Sequence, residues 1–342
     1  MRVLKGVGLC FILLLFCDKI FACSDFQIIA KDGSIVTSRS MEFPIDLKSR
    51  IWSVPRSAAN KYGYLGVDSV GRSDILSDGM NEKGLSVGGL MFSSAQYQTP
   101  EQGKISVPVT HICSYILGNF GNVEEVKKAF TKIRVIAKPV KELGGVLGFH
   151  LAVHDANKKN IVVEFIDGKV NIYDNPLGIT TNMPEFPWHM TNLANYINLD
   201  PHDKKVISMN GQKVTPIGVG TGLLGIPGDW TPPSRFVRLA WSITSALPTK
   251  NADEAVMLSS HLLSSIDIPL GAIKEVNGMY GYAQWVVIKD LTNKVFYYRT
   301  YKNPTLKAID MKKLDLSFGA KAKKISISDD SPKFVDVTGN ML

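Results

Sequence analysis

Cysteine is scarce in this chain, with four in 342 residues, which is too few for a disulfide scaffold. Cys10 and Cys17 belong to the opening segment, so the remainder keeps only Cys23 and Cys113. Metal-ligand spacing is missing too. His150 and His154 are four apart, but in a strand pattern that spacing does not gather them as a helix would, and they read as ordinary polar positions. No metal and no cofactor is expected. A dense basic stripe with interleaved aromatics is also absent. The net charge is +8, residues 1–22 supply two of those charges, and nucleic acid is excluded as a partner. After the opening segment no apolar run approaches about 18 residues, so no stable membrane insertion is expected. Finally, there is no Pro-, Gly- or Ser-rich linker and no repeat, which leaves one domain over 23–342.

The opening segment is informative. Arg2 and Lys5 precede an apolar stretch from Gly6 to Cys17, and a small residue, Ala22, ends it. This is the layout of a secretory signal peptide spanning 1–22, cleaved to give a periplasmic or secreted protein. The competing reading is an uncleaved anchor, against which Asp18 and Lys19 interrupt the run. Cleavage after Ala22 makes Cys23 the first residue. Cys113, in the apolar run Val109 to Leu117, reads as a buried core cysteine.

Downstream, β-prone runs meet at turn signals. Cys23 to Ala30 and Ser34 to Ser38 join at Asp32-Gly33, the strongest short-range hairpin signal. Further hairpins are expected around Asn81-Glu82-Lys83-Gly84, around Asn157-Lys158-Lys159-Asn160, and between Ala283–Lys289 and Lys294–Thr300. Helical spacing marks Val109–Leu117, Val123–Ile133, Trp188–Ile197, Ser234–Leu247 and Ala252–Ser264. Hairpins and helices in blocks predict an α+β fold of stacked antiparallel sheets covered by helices, not a parallel doubly wound sheet. From about Phe318 the chain reads as a peripheral tail, in which Ile325-Ser326-Ile327 is patterned as an edge strand.

A cysteine at a chain start carries a thiol nucleophile and a free α-amine with a pKa near 7.7 to 8.0. Such an amine can take the thiol proton and later deliver it to a leaving nitrogen. No histidine is required, and no Cys-His-Asn protease signature is present. On the second strand of the first hairpin, Arg39 would favour the thiolate and Glu42 would orient the amine. A surface ion pair at a strand end is the bland alternative for those two.

Several ordered blocks then resemble the choloylglycine hydrolase family, which includes conjugated bile acid hydrolases and penicillin V acylases. They are Cys23-Ser24-Asp25-Phe26, Asp32-Gly33, Arg39-Ser40-Met41-Glu42-Phe43, Asp78 to Leu85, Thr181-Asn182-Met183-Pro184, and Gly225 to Asp229 followed by Ser234-Arg235-Phe236. The resemblance implies an αββα N-terminal-nucleophile fold and hydrolysis of a linear amide through a thioester on Cys23. It maps the nucleophile to Cys23 and the supporting arginine to Arg39. Glu42 stands where most members have an aspartate facing the amine. Asn182 is the oxyanion-hole amide, and Arg235 an arginine that holds the other groups in place. Met91 replaces an asparagine or tyrosine, so only its backbone N–H is carried over as an oxyanion donor. The resemblance also implies a homotetramer.

The substrate is expected to be a small acyl amide. The signal peptide and the Arg39-to-Glu42 segment resemble the exported members of the family, and that resemblance favours penicillin V or an N-acyl homoserine lactone, with bile salt as the alternative. Two readings compete with catalysis by Cys23. Ile20-Phe21-Ala22-Cys23 resembles a lipobox, which would make the chain a lipidated, membrane-tethered protein. Glu42 and Met91 would also suit an inactive member that binds acyl amides without cleaving them.

Overall fold

The computed structural model describes residues 22–327, 331 and 334–341. The signal-peptide residues before Ala22 lie outside them. In chain order the sheet strands are β1 (Cys23–Ile29), β2 (Ile35–Phe43), β3 (Arg50–Val54), β4 (Tyr64–Ser69), β5 (Arg72–Asn81), β6 (Leu85–Met91), β7 (Phe149–Asp155), β8 (Asn160–Ile166), β9 (Lys169–Asp174), β10 (Ile179–Thr180), β11 (Tyr280–Asp290), β12 (Val295–Thr300), β13 (Lys307–Asp310) and β14 (Lys323–Ser326). One sheet runs β10-β1-β2-β11-β12-β13, and the other β9-β8-β7-β6-β5-β4-β3-β14. Both are antiparallel throughout.

Three apolar layers hold the stack together. Ile35, Met41, Leu65, Leu90, Val287 and Phe296 pack between the sheets. The second sheet's outer face meets α1 (Ile112–Asn119) and α2 (Val123–Phe130) through Leu85, Leu117 and Val126. The first sheet's outer face meets α3 (Phe186–Asn192), α4 (Pro232–Ser245) and α5 (Ala252–Ile266) through Phe26, Val36, Phe236 and Leu263. The αββα architecture is therefore the expected one.

The four hairpins fall where the turn residues place them. In the first, Gly33 has φ of +88°, which its missing Cβ permits. Asp32 Oδ1 accepts the Ser34 N–H at 2.8 Å, which fixes the turn. The tail also behaves as its alternation predicts, because β14 pairs with β3, Ile325 opposite Ile51. Two helices are shorter than their spacing suggests. α2 stops at Phe130, since the β-branched run Ile133–Ile136 pairs in parallel with Ile105–Pro108 instead. Beyond Asn192 the expected helix tightens into a 3₁₀ turn over Leu193–Tyr196.

All nine residues of β2 are buried, because both of its faces are covered. Alternation sends Arg39, Met41 and Phe43 toward the other sheet and Ser40 and Glu42 toward the helices. Four consecutive buried positions, Thr37, Ser38, Arg39 and Ser40, are polar, an unusual content for a central strand. That strand lies beside Cys23, with Cys23 paired to Met41 and Asp25 to Arg39.

Candidate active site

Cys23 is fully buried at the start of β1, facing the space between the sheets. Its sulfur lies 3.8 Å from Nη2 of Arg39 and 4.0 Å from the Met41 sulfur. A narrow cavity of about 30 Å³ opens beside it, lined by Met41, Phe43, Ile75, Leu143, Leu147 and Phe149 among others. The thiol thus meets one cation, the Met41 thioether and a largely apolar cavity wall.

The position of Arg39 follows from a defect in the second sheet. β5 and β6 pair at Asp78–Gly88, Gly79–Val87 and Met80–Ser86, and then diverge. The next pair would be Ser77 and Gly89, and their carbonyls lose their ladder partners. Buried carbonyls must find donors, and Arg39 provides them. Nη2 donates to Gly89 O at 2.6 Å and Nη1 to Ser77 O, so the guanidinium fills the gap between the strands. Gly88 leaves room for this, since a Cβ there would lie 3.0 Å from Asp78 Oδ2 and 3.3 Å from Arg39 Cδ.

A second arginine works from the helix side. Thr231 precedes Pro232 and Pro233, which suit the first turn of α4. Asp229 braces that turn by accepting from Thr231 N–H at 2.9 Å and from the Ser234 hydroxyl at 2.7 Å. Arg235, fully buried one residue on, donates to Cys23 O at 2.5 Å, to Asn182 Oδ1 at 2.8 Å and to Trp230 O at 2.9 Å. Burial lowers its pKa, while Glu42 and Cys23 act in the opposite direction.

Asn182 ties the two sheets together at this point. Its Oδ1 accepts the Cys23 N–H at 2.7 Å as well as Arg235, and its Nδ2 donates to Met91 O at 2.8 Å. One of the two Nδ2 hydrogens is thereby used. Phe92 N–H pairs with Gly148 O across the β6–β7 ladder. By alternation, Met91 turns both its C=O and its N–H to the other edge, the side of Asn182. The Met91 side chain is buried among the lining carbons of the cavity.

Glu42 lies apart from the thiol. It is on the opposite face of β2, its backbone N–H bonded to Ala22 O at 3.1 Å, and both carboxylate oxygens are buried without a hydrogen-bond partner. It faces a separate cavity of about 290 Å³ lined by Ala22, Trp230, Ile268 and Ile273. Burial, opposed by the charge of Arg235, pushes its carboxyl up to about 7. Arg39 meets the sulfur, and Glu42 lies on the backbone side of Cys23, where the amine it is expected to orient would be, because residues three apart on a strand point to opposite faces.

Two histidines escaped the sequence reading. His150 and His154 are 1% exposed, not ordinary polar positions, since β7 is covered on both faces. His150 Nε2 is 2.8 Å from Thr181 O, and His154 Nε2 is 2.6 Å from Asp25 Oδ1. His189, on α3, adds a contact of 2.9 Å from Nε2 to Asn182 O and stacks on Phe236. The segment carrying Asn182 is thus held by two imidazoles. Polar residues inside an apolar-periodic strand were the available signal. Cys113 is buried as expected, and burial pushes its thiol up to about 12. Among the described residues no group of three or more His, Cys, Asp or Glu is placed to hold a metal ion. No described helix is long and apolar enough to cross a membrane.

Burial, against the bond to Asn182 O, lowers His189 to about 4. The unfolded chain protonates it near 6.5, so between pH 6.5 and 4 the unfolded state binds more protons. Its contribution is complete above 6.5 and is lost as pH falls to 4, by on the order of 3 kcal/mol. Denaturant titrations across that range should show wild type losing stability relative to His189→Gln. Parallel pH profiles would refute a buried neutral imidazole.

A sequence profile of the linear amide C-N hydrolases, choloylglycine hydrolase family, matches residues 23–335. The bile salt hydrolase/transferase of Clostridium perfringens is 32% identical over 86% of this chain and 94% of its own length. The conjugated bile acid hydrolase of Lactobacillus gasseri is 30% identical over 80% and 91%. The penicillin V acylase of Pectobacterium atrosepticum is 22% identical over 85% and 81%. Among solved structures, a mutant conjugated bile acid hydrolase from Clostridium perfringens superposes with a TM-score of 0.84 at 31% identity, covering 92% of this chain and 99% of that one. The penicillin V acylase of Agrobacterium tumefaciens superposes at 0.72 with 23% identity, a likeness of fold. The chain belongs to the choloylglycine hydrolase family of linear amide C-N hydrolases.

Proposed function

We propose that this chain hydrolyses the amide bond of conjugated bile acids, with Cys23 as nucleophile and its α-amine, freed by cleavage after Ala22, as base. The observation that carries the nucleophile is the contact of the Cys23 sulfur with Arg39, beside an apolar cavity and the Asn182–Met91 pair. Once free, the amine would donate one hydrogen to Asn182 Oδ1, keep its lone pair for the thiol proton, and have the unpartnered Glu42 carboxylate nearby.

Thiolate attack on the amide carbon forms the tetrahedral oxyanion, for which the second Asn182 Nδ2 hydrogen and the Met91 N–H are the donors. Collapse breaks the C–N bond as the amine's proton passes to the leaving nitrogen, leaving a thioester. Water, deprotonated by the same amine, attacks that thioester and releases the acid. Arg235 holds the Cys23 carbonyl and Asn182 oxygen through both steps.

The relatives named above favour bile acid as the acyl group, reversing the order expected from the resemblance to exported members. Those acting on conjugated bile acids are 30–32% identical, against 22% for the penicillin V acylase. Export to the periplasm or medium and assembly as a homotetramer belong to the same proposal. Turnover of glycine- and taurine-conjugated cholate should exceed that of penicillin V by about tenfold or more in kcat/KM. Faster release of phenoxyacetate from penicillin V would restore the acylase reading.

A further inference from the structure

The interior behind Arg39 holds more charge than its contacts with carbonyls and thiol require. Lys289, on β11, is fully buried, and its Nζ lies 2.7 Å from Asp78 Oδ1. Asp78, on β5 of the opposite sheet, is also fully buried, and its other oxygen lies 3.5 Å from Nη1 of Arg39. Val287 is the register partner of Arg39, so Lys289 lies two residues further along the same face. A row of four groups, Lys289, Asp78, Arg39 and the Cys23 thiol, therefore crosses the sandwich and returns.

Desolvating an ammonium and a carboxylate is expensive, and replacing such a pair by carbon is often neutral or stabilising. Its retention here asks for another reason, and the geometry gives one. Asp78 alone would pair with Arg39, and two anions, the carboxylate and the thiolate, would then share one guanidinium. Lys289 cancels Asp78. We infer that Lys289 is a positioning residue for the reaction: by neutralising Asp78 it leaves the charge of Arg39 free to stabilise the Cys23 thiolate.

The other charged groups around the thiol do not duplicate this role. On β1, Asp25 Oδ1 is engaged by His154 of β7, while its Oδ2 is buried without a hydrogen-bond partner; as an anion it acts on Arg39 and Asp78 but cannot neutralise the latter. On β2, Glu42 points to the helix side. On α4, Arg235 is spent on Cys23 O, Ser24, Asn182 and Trp230 O. On α1, Cys113 is an un-ionised thiol, pushed up by burial. An arginine cannot be deprotonated in a protein, so Arg39 still faces Asp78 when Lys289 is removed and opposes the burial that pushes the Asp78 carboxyl up.

The consequence is read on the thiol itself, by the pH dependence of iodoacetamide alkylation at Cys23 in the processed chain, with Cys113→Ala as background. Lys289→Met should raise the alkylation midpoint by about one pH unit and lower kcat at neutral pH with KM little changed. Adding Asp78→Asn to Lys289→Met removes both charges and should return the midpoint to the wild-type value. A purely structural role predicts no such rescue. If Lys289→Met does not fold, Lys289→Gln keeps a donor to Asp78 without the charge and carries the same expectation. An unchanged midpoint in the single variant, which would mean that Asp78 takes up a proton, overturns the inference. So does a midpoint that stays raised in the double variant. The link to turnover rests on Cys23 being the nucleophile, but alkylation does not. Retained hydrolysis in Cys23→Ser would sink the mechanism and leave the charge network standing.

Discussion

Replacing Cys23 by serine should abolish hydrolysis while leaving the fold in place, with kcat falling by at least about 10³-fold. The substitution exchanges sulfur for oxygen at a fully buried position and removes no packing group. What changes is ionisation. Arg39, at 3.8 Å, can stabilise a thiolate, whereas a hydroxyl is too weak an acid for one cation to ionise near neutral pH. The chain should melt within a few degrees of wild type, as its contacts to Asn182 and Arg235 are made by the Cys23 backbone. Wild-type turnover in this variant would refute the nucleophile, and loss of cooperative melting would show that the sulfur has a structural role.

A chain that keeps residues before Cys23 should fold and yet be inactive. The structure includes Ala22, whose carbonyl accepts from Glu42 N–H and extends the β1–β2 ladder by one step. Ala22 itself is thus accommodated at the end of the ladder. Chemically an uncleaved junction is fatal, because the nitrogen of Cys23 is then an amide with no lone pair to take a proton. A general base is worth about 10²–10⁴-fold, and activity should fall by that much or more. A version ending its leader in a site for a specific protease, made before and after cutting, provides the comparison on one preparation. Equal rates on both sides of the cut would mean that the base lies elsewhere.

How far these features were legible in the sequence depended on how local they are. Turns are local, so Asp32-Gly33 and Asn81 to Gly84 placed their hairpins within a residue or two. The order of motifs carried Cys23, Arg39, Asn182 and Arg235 to one site, although they come from β1, β2, the segment after β10, and α4. Pairings between distant segments were not readable in this way. The divergence of β5 and β6 depends on how three strands and a guanidinium compete for the Ser77 and Gly89 carbonyls, and no single stretch encodes that. His154 reads as an ordinary polar position and Lys289 only as the end of a hairpin strand, because their partners, Asp25 and Asp78, lie 129 and 211 positions away. The face of Glu42 was readable in principle, since its odd spacing from Arg39 on a strand already separates the two side chains.

The claim on which the rest depends is that the acyl group passes through a thioester on a cysteine that begins the chain. Acid-quenching a reaction with a conjugated bile acid and weighing the N-terminal peptide reads this directly. The account predicts a peptide that starts at Cys23 and carries the mass of the acyl group. Steady hydrolysis by a chain whose first peptide starts upstream of Cys23, or with the acyl mass on the Cys113 peptide, would contradict it.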